Sequence, residues 1–155
     1  MKQTICLMIC LLLLPSLLTG CSSPVSGAED VTAMPVDVEI REKMFLSQTN
    51  DIYLNLNDYL GKSIRYEGMF FSQPFGTNQE YNMVIRYGPG CCGSDGTVGF
   101  EVAWDDPSII KPLDNDWVEV TGTLEQYEED GYSYVRLHLL GMNKLDKRGV
   151  ETVLQ

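Results

Sequence analysis

The sequence has few residues that could support sulfur, metal or nucleic-acid chemistry. Its 155 residues include five cysteines, one histidine and 11 basic residues against 22 acidic ones, which gives a formal net charge of −11. Binding to nucleic-acid phosphates requires clustered Lys and Arg, so this acidity argues against a nucleic-acid partner. It also disfavours broad contact with anionic lipid headgroups. The simpler interpretation, which we prefer, is that the acidic charge serves solubility.

The first twenty residues have the pattern of an export signal. Lys2 supplies a minimal positive region, and Ile5 to Leu14 is an almost uninterrupted apolar run. This run is too short for a membrane-spanning helix, and small residues follow it, as they do in a signal peptide. The next segment, Leu18-Thr19-Gly20-Cys21, resembles the lipobox of bacterial lipoproteins.

This resemblance implies that residues 1–20 are removed and that Cys21 becomes a lipidated N-terminus, while Cys6 and Cys10 leave with the signal. The alternative is an ordinary secretory signal in which Cys21 stays a free thiol. Acyl chains contribute about 0.8 kcal/mol per buried methylene, which suffices for stable anchoring by several chains. We therefore expect a protein that is held at the cell membrane by lipid and faces outside the cytoplasm, on the periplasmic side where an outer membrane exists.

The remaining chain is long enough for one domain and a tether. Residues 21–35 are rich in Ser, Pro, Gly and Ala and predict a flexible lipidated tether. Residues 36–145 form the predicted folded domain, and residues 146–155 a polar, loosely ordered tail. After processing, Cys91 and Cys92 are the remaining unmodified thiols. A framework of disulfides between distant segments is thereby excluded.

The hydrophobic periodicity predicts a mainly β domain with one N-terminal helix. A stripe of apolar or small residues with helical spacing predicts a helix over residues 42–56, with a strand pair as the alternative. Residues 36–40 alternate as in a short strand, and Asp130-Gly131 marks a hairpin turn. Period-two alternation predicts the five longer strands: 63–73, 82–87, 97–104, 116–127 and 132–140.

These strands predict a small five-stranded barrel, because closure removes the exposed edges that invite aggregation. The sequence patterns of Gly61 to Gly68 and of Trp117 to Leu124 resemble the OB-fold, in which the first and fourth strands commonly carry such glycines. Gly68 is expected to allow a bend or bulge in the first barrel strand. The alternative architecture is an open sheet or sandwich built from the same strands.

A narrower resemblance covers about residues 36–145. The motif residues are Ile52-Tyr53, Tyr59-Leu60-Gly61-Lys62-Ser63-Ile64, Glu67-Gly68, Val84-Ile85-Arg86-Tyr87, Cys91-Cys92 and Asp95. In these the chain resembles the soluble C-terminal domain, of unknown function, of YcgQ-like, permease-associated membrane proteins. The resemblance implies an OB-like extracytoplasmic domain and an envelope permease as a partner. Those proteins usually place the domain after transmembrane helices, whereas here the lipid at Cys21 replaces them.

The glycine-rich stretch 88–96 carries the remaining thiols and allows three interpretations. Zinc requires about four N, S or O ligands, and Cys91, Cys92, Asp95 and His138 could supply them. A vicinal disulfide between Cys91 and Cys92 would be strained and easily reduced, as in a redox sensor. The third interpretation is packing, which we prefer because free cysteine is among the most buried residue types.

A complete catalytic constellation is missing from the sequence. A cysteine nucleophile would need His138 as its base and a third group to orient that base, and nothing specifies such a group. Several aromatic residues could form a stacking platform for sugars or peptides, although at strand spacing they more often belong to a core: Tyr66, Phe70, Tyr81, Tyr87, Trp104 and Tyr134. We therefore expect a lipid-anchored binding or accessory module of an envelope system. The alternative is a thiol-dependent redox sensor or enzyme.

Overall fold

The structure is a computed structural model that describes residues 34–75, 79–90 and 93–154. The predicted signal peptide, Cys21 and most of the predicted tether lie outside these residues. None of the helices in the described part of the chain is long and apolar enough to span a bilayer.

Short helices precede a series of long strands in the described residues. The two-residue strand β1 (Val38–Glu39) is followed by a 3₁₀ turn (Glu42–Met44), helix α1 (Phe45–Leu54) and helix α2 (Leu56–Tyr59). The long strands are β2 (Ser63–Phe75), β3 (Gln79–Gly90), β4 (Gly93–Ala103), β5 (Trp117–Glu129) and β6 (Tyr132–Lys144). Each lies where the sequence predicts a strand, with ends that differ by a few residues.

The sheet closes on itself. Its order is β1-β2-β3-β4-β6-β5, and β5 pairs in turn with β2, so that β2 to β6 form a ring. Neighbours in the ring run antiparallel except β4 and β6, which run parallel, and β1 adds a short parallel pairing to β2. The predicted mainly β, five-stranded barrel with an N-terminal helical segment is confirmed. The open-sheet alternative is wrong.

The core lies inside the barrel, where strand alternation places the apolar side chains. In β5, for example, Val118 and Val120 point inward and are fully buried. Tyr66 crosses this core with its polar end satisfied. Its hydroxyl donates a hydrogen bond to Val84 O at 2.7 Å and accepts one from the Phe100 N–H at 3.3 Å. This side chain therefore ties β2, β3 and β4 together from within.

Helix α1 packs its predicted stripe against the same core. The residues of that stripe are buried, or half-buried in the last case: Phe45, Thr49, Ile52 and Leu56. The helix predicted over residues 42–56 is interrupted at Asn55, whose Nδ2 donates to Asp51 Oδ1 at 2.8 Å. Asparagine interrupts helices because its short amide competes for local hydrogen bonds.

Strand β2 changes partner along its length. It pairs with β5 over residues 63–69 and with β3 over residues 69–75. Gly68 lies at the change, where a Cβ atom would sit 2.8 Å from the carbonyl oxygen of Ile85. Glycine is therefore required here because the β3 backbone passes too close for any side chain.

The hairpin between β5 and β6 turns at the predicted dipeptide. Glu129 pairs with Tyr132, and the two residues between them, Asp130 and Gly131, have φ angles of 52° and 80°. Two successive positive φ values match the twist of the flanking strands, which is why Asp-Gly is favoured at this position.

The segment after β6 packs against the barrel in place of the loose order that its polar composition predicted. The Tyr87 N–H donates to Glu151 O, and the Val153 N–H donates to Tyr87 O, both at 2.8 Å. Val153 is only 4 % exposed and belongs to the core. This segment therefore runs parallel to the end of β3 and covers an edge that would otherwise be open.

Candidate functional site

Cys91 and Cys92 lie outside the described residues, so their predicted zinc, redox and packing roles stay predictions. The strands on either side are described. β3 ends at Gly90, β4 begins at Gly93, and these two residues pair with each other. The cysteine pair therefore connects two strands that are paired up to this point.

The sheet extends further toward the cysteines than the sequence predicted. Much of the glycine-rich stretch 88–96 belongs to β3 and β4, and Gly88 pairs with Gly96. The register shifts between Gly88 and Gly90, at Pro89. Proline has no N–H to donate to a strand partner, so an irregularity at this position is expected.

His138 lies at the other end of β4. It pairs with Ala103, the last of the 11 residues of this strand, about 33 Å of extended chain from Gly93. Its ring faces carboxylates there, with Nε2 3.5 Å from Asp105 Oδ2 and Nδ1 3.8 Å from Glu125 Oε1. The structure therefore does not bring His138 to the start of β4.

The remaining predicted ligand, Asp95, belongs to β4 near its start, but its side chain lies outside the described part of the structure. Within residues 34–75, 79–90 and 93–154, no group of three or more His, Cys, Asp or Glu side chains is placed to hold a metal ion. Of the predicted set, Asp95 adjoins the cysteines in the chain and His138 stands apart.

A different group of side chains converges on the outer face of the barrel. Residues directly opposite each other in neighbouring strands point to the same side of a sheet. The pairings that align this outer face across β3, β4, β6 and β5 are Met83 with Glu101, Glu101 with Arg136, Arg136 with Glu125, and Tyr134 with Tyr127. The residues next to Glu101 and Arg136, Val102 and Leu137, are buried in the core, so this face points outward.

These strands form a cleft of about 190 Å³. We call it the tyrosine–carboxylate cleft and define it by six lining residues: Gln79, Tyr81, Glu101, Tyr127, Glu129 and Arg136. The Tyr127 hydroxyl donates to Glu101 Oε2 at 2.7 Å. The Tyr81 hydroxyl donates to Glu129 Oε2, and Gln79 Nε2 donates to Glu129 Oε1 at 2.8 Å. The β2–β3 and β5–β6 hairpins are thereby joined across the cleft.

One wall of the cleft is aromatic. Tyr127 lines the cleft, and its ring is stacked on that of Tyr134, which lies beside the cleft, with centroids 5.6 Å apart. The Arg136 guanidinium lies 4.5 Å from the centre of the Tyr127 ring, and its Nε donates to Glu125 Oε1 at 2.6 Å. A cation–π contact backed by a carboxylate therefore already exists at this wall.

The environment shifts the protonation of these groups. Burial raises the pKa of the Glu101 carboxyl, an effect that the hydrogen bond from Tyr127 opposes. The hydrogen bond to Glu129 raises the pKa of Tyr81 to about 12. Burial, followed by the bond to Glu101, raises the pKa of Tyr127. Both phenols are therefore protonated donors near neutral pH.

Arg86 forms a second cluster, at the C-terminal segment. Its side chain is 2 % exposed, its Nε donates to Glu67 O at 2.9 Å, and its Nη1 donates to Val150 O at 3.0 Å. The guanidinium lies between two rings, 4.7 Å from the centre of Phe45 and 4.9 Å from that of Trp117. Arg86 therefore joins the helix, the barrel and the C-terminal segment.

Two grooves of about 300 and 660 Å³ open beside this cluster and share Glu42 and Glu67. One oxygen of Glu42 accepts from the Val150 N–H at 2.9 Å and lies 3.5 Å from Arg86 Nη1. One oxygen of Glu67 accepts from Trp117 Nε1 at 3.0 Å. Because Glu42 holds the C-terminal segment and Glu67 holds the Trp117 ring, we interpret the grooves as structural and take the smaller cleft as the candidate site.

Sequence reasoning found this site only in part. Of the aromatic residues that the sequence offers for a stacking platform, Tyr81 and Tyr134 lie on the outer face, while Tyr66 and Phe70 are buried in the core. Glu101 was not singled out. Its place at a polar position of an alternating strand indicates that Glu101 points outward. This local signal does not predict which side chain from another strand contacts Glu101.

Comparison with known protein families gives a match that covers most of the chain. The family model of the DUF1980 C-terminal domain matches residues 26–148. The chain belongs to this family. The DUF1980 C-terminal domain is a domain of unknown function, and its match covers β1 to β6 but ends before the residues that pair with Tyr87. No curated protein and no solved structure matches the chain.

Proposed function

We propose that this protein is a lipid-anchored, extracytoplasmic binding module that takes its ligand in the tyrosine–carboxylate cleft. The supporting observation is the cleft itself, in which hydrogen bonds fix phenol and carboxylate groups on the outer face of a closed barrel. Sites fixed in advance lose less side-chain entropy when a ligand binds.

The topology supports the OB-like part of this proposal. The third and fifth strands of the ring, β4 and β6, run parallel, and the first strand pairs with both the second and the fourth. In OB-folds, the face of the second and third strands and the hairpins beside it bind ligands. The corresponding strands here are β3 and β4, which supply Tyr81 and Glu101 to the cleft.

Anchoring at Cys21 is part of the proposal. The Leu18 to Cys21 segment supports it, as does the position of the domain at the end of a Ser- and Pro-rich stretch. The chain enters the domain at Met34, whose carbonyl accepts a hydrogen bond from Arg65 Nη2 at 2.6 Å. An accessory role beside an envelope permease fits the same location.

A metal link at the cysteine pair would be a version of this binding role, and the alternative function is a thiol-dependent redox sensor or enzyme that uses Cys91 and Cys92. Asp95 follows Cys92 by three residues in the chain, whereas His138 pairs with the far end of β4. Anaerobic purification followed by thiol titration and metal analysis distinguishes zinc binding, redox activity and packing as the role of these cysteines. Stoichiometric zinc that is lost in Cys91→Ser would support the metal site. Two unreactive thiols without bound metal would exclude both the metal and the redox role and would support packing.

The anchor is tested in bacterial cells that produce the full chain. We expect labelled palmitate to be incorporated into the wild type and the Cys10→Ser variant but not into Cys21→Ser, which should leave the membrane fraction. Added protease should reach the domain only from outside the cytoplasmic membrane. Unchanged labelling of Cys21→Ser would contradict the anchor.

Binding is tested with a panel of small probes and the purified full chain in detergent. The panel contains spermidine, triacetylchitotriose and a neutral dipeptide, and binding is followed by isothermal calorimetry. We expect at least one probe to bind and its affinity to fall in a Tyr127→Phe, Glu101→Gln double variant. Binding that is equal in the wild type and the double variant would contradict the assignment to this cleft.

A further inference from the structure

We infer that the tyrosine–carboxylate cleft selects a cationic head group, a primary ammonium or a guanidinium. This inference rests on the proposed function, since it names the chemical class of ligand for the same cleft. It follows from the use of the hydrogen-bond donors, the ion pairs around the cleft, its aromatic wall and its size.

The phenol groups and the Gln79 amide of the cleft already donate their hydrogen bonds inside it. The Tyr127 hydroxyl donates to Glu101, and the Tyr81 hydroxyl and Gln79 Nε2 both donate to Glu129. A neutral sugar needs donors and acceptors in comparable number, because each hydroxyl both donates and accepts. This cleft offers mainly acceptors, and a ligand that only donates suits it better.

The charge of the cleft is balanced only in part from within, because Glu80, Glu101 and Glu129 line it together with one cation, Arg136, whose charge acts on Glu101. Arg136 is paired with Glu125 at 2.6 Å, and Lys111 is paired with Glu80, also at 2.6 Å. Among the described residues, neither Glu101 nor Glu129 has a Lys, Arg or His nitrogen within 4.0 Å. A bound cation would supply the missing partner. Hydrogen bonds between ions are about twice as strong as those between neutral groups.

The aromatic wall favours the same class of ligand. Arg136 already lies 4.5 Å from the centre of the Tyr127 ring, and Tyr134, which stacks on that ring beside the cleft, is 42 % exposed. The face of a tyrosine ring attracts cations and has no comparable preference for anions. The net charge of −11 acts in the same direction at longer range and raises the local concentration of cations.

Size limits how much of the ligand can enter. The cleft holds about 190 Å³, below the range of about 300–1,000 Å³ typical of sites that enclose a whole small molecule. An alkylammonium or guanidinium group fits this volume while the rest of the molecule stays outside. Two sources share this chemistry, a free polyamine and a Lys or Arg side chain of a partner protein.

The test uses the full-length chain in detergent and four probes in isothermal calorimetry. Spermidine represents the free amine, Nα-acetyl-arginine amide the protein side chain, triacetylchitotriose a neutral sugar and glutarate an anion. We expect one or both cations to bind and the other two probes not to bind. The tighter of the two cations identifies the source.

Matched variants locate the binding. Glu101→Gln should weaken cation binding about tenfold, the loss expected for about 1.4 kcal/mol of interaction. Glu128→Gln removes one carboxylate from an exposed position of the same hairpin outside the cleft, so it should leave binding unchanged. Thermal unfolding of both variants checks that the barrel is intact. An equal loss in both variants would mean non-specific attraction and would overturn the inference.

The remaining outcomes separate this inference from the proposed function. If triacetylchitotriose binds, Glu101→Gln weakens it and the cations do not bind, the cationic class is wrong and the binding module stands. If glutarate binds best, the charge argument is wrong. If no probe binds at any concentration that calorimetry reaches, the cleft is not a ligand site, and both proposals fail.

Discussion

Arg86 and Glu101 illustrate two ways of placing a charge in a small barrel. Arg86 is almost wholly removed from water, but two carbonyl oxygens, the Glu42 carboxylate and two aromatic rings surround its guanidinium. Burial lowers its pKa, and the nearby Glu42 and Glu67 oppose that shift. Glu101 has a phenol partner and no ion pair in the described structure, so its desolvation is less fully compensated.

Replacing Arg86 should destabilise the domain strongly. Arg86→Met would remove the donor to Glu67 O and Val150 O and leave buried carbonyls without a partner, at a cost of about 3 kcal/mol. Urea unfolding followed by tryptophan fluorescence measures the change. Arg41→Met is the matched control, because Arg41 is 74 % exposed and its ion pair with Glu39 is long, at 4.0 Å. This variant should change the free energy of unfolding by at most about 0.5 kcal/mol. Equal effects would contradict a structural role for Arg86.

Glu101→Gln should stabilise the domain near neutral pH while it weakens ligand binding. The folded state raises the pKa of Glu101 above the ordinary 4.5, mainly through burial. The carboxyl therefore favours folding when protonated, and this contribution is lost as the pH rises through the raised value. Tyr127, Arg136 and Glu129 face this group and are unchanged in the variant. The free energy of unfolding should be higher in the variant than in the wild type near pH 7, and this difference should disappear near pH 4. A difference that is the same at both pH values would contradict the prediction.

At the scale of elements, the alternating strands were predictable and their partners were not. Period two identified β2 to β6, and Asp130-Gly131 identified the β5–β6 turn, since these signals are local. The parallel pairing of β4 with β6 depends on barrel closure, which no local pattern encodes. Local patterns also fail to predict the packing of the C-terminal segment. In this mostly polar segment, Val153 is buried, and its N–H donates to Tyr87 O of β3.

Val153 should account for much of the attachment of this segment. Val153→Ala removes two methyl groups from a side chain that is 4 % exposed, so we expect a loss of about 2 kcal/mol in the free energy of unfolding. Leu154→Ala changes a neighbour that is 71 % exposed and should alter stability by at most about 0.5 kcal/mol. Urea denaturation of both variants gives the comparison. Similar values would show that the segment does not pack as described.

At the scale of the molecule, the negative charge of the chain opposes compaction. The chain carries a formal net charge of −11, and the excess of acidic residues causes self-repulsion in the folded state. The observed ion pairs are mostly at exposed positions, where each contributes little. The barrel is therefore held mainly by its apolar core and its closed ladder of hydrogen bonds.

Salt should accordingly stabilise the protein. Raising NaCl from about 0.01 to about 0.15 M shortens the Debye length from about 30 to about 8 Å and screens the repulsion, so the thermal midpoint should rise. Glu128→Lys, at an exposed position, reduces the net charge and should show a smaller rise. Differential scanning calorimetry measures both. A midpoint that falls with salt would show that attractive ion pairs outweigh the repulsion.

The sequence by itself determined the class of fold, the strands and the family resemblance, because alternation and turn chemistry act over a few residues. It also predicted the lipid anchor and limited unmodified thiols to Cys91 and Cys92, predictions that wait on experiment. The tertiary structure alone decided that His138 lies at the far end of β4 and that Glu101 and Tyr127 meet on one face. Those placements depend on register and closure, which are set by packing between segments far apart in the chain.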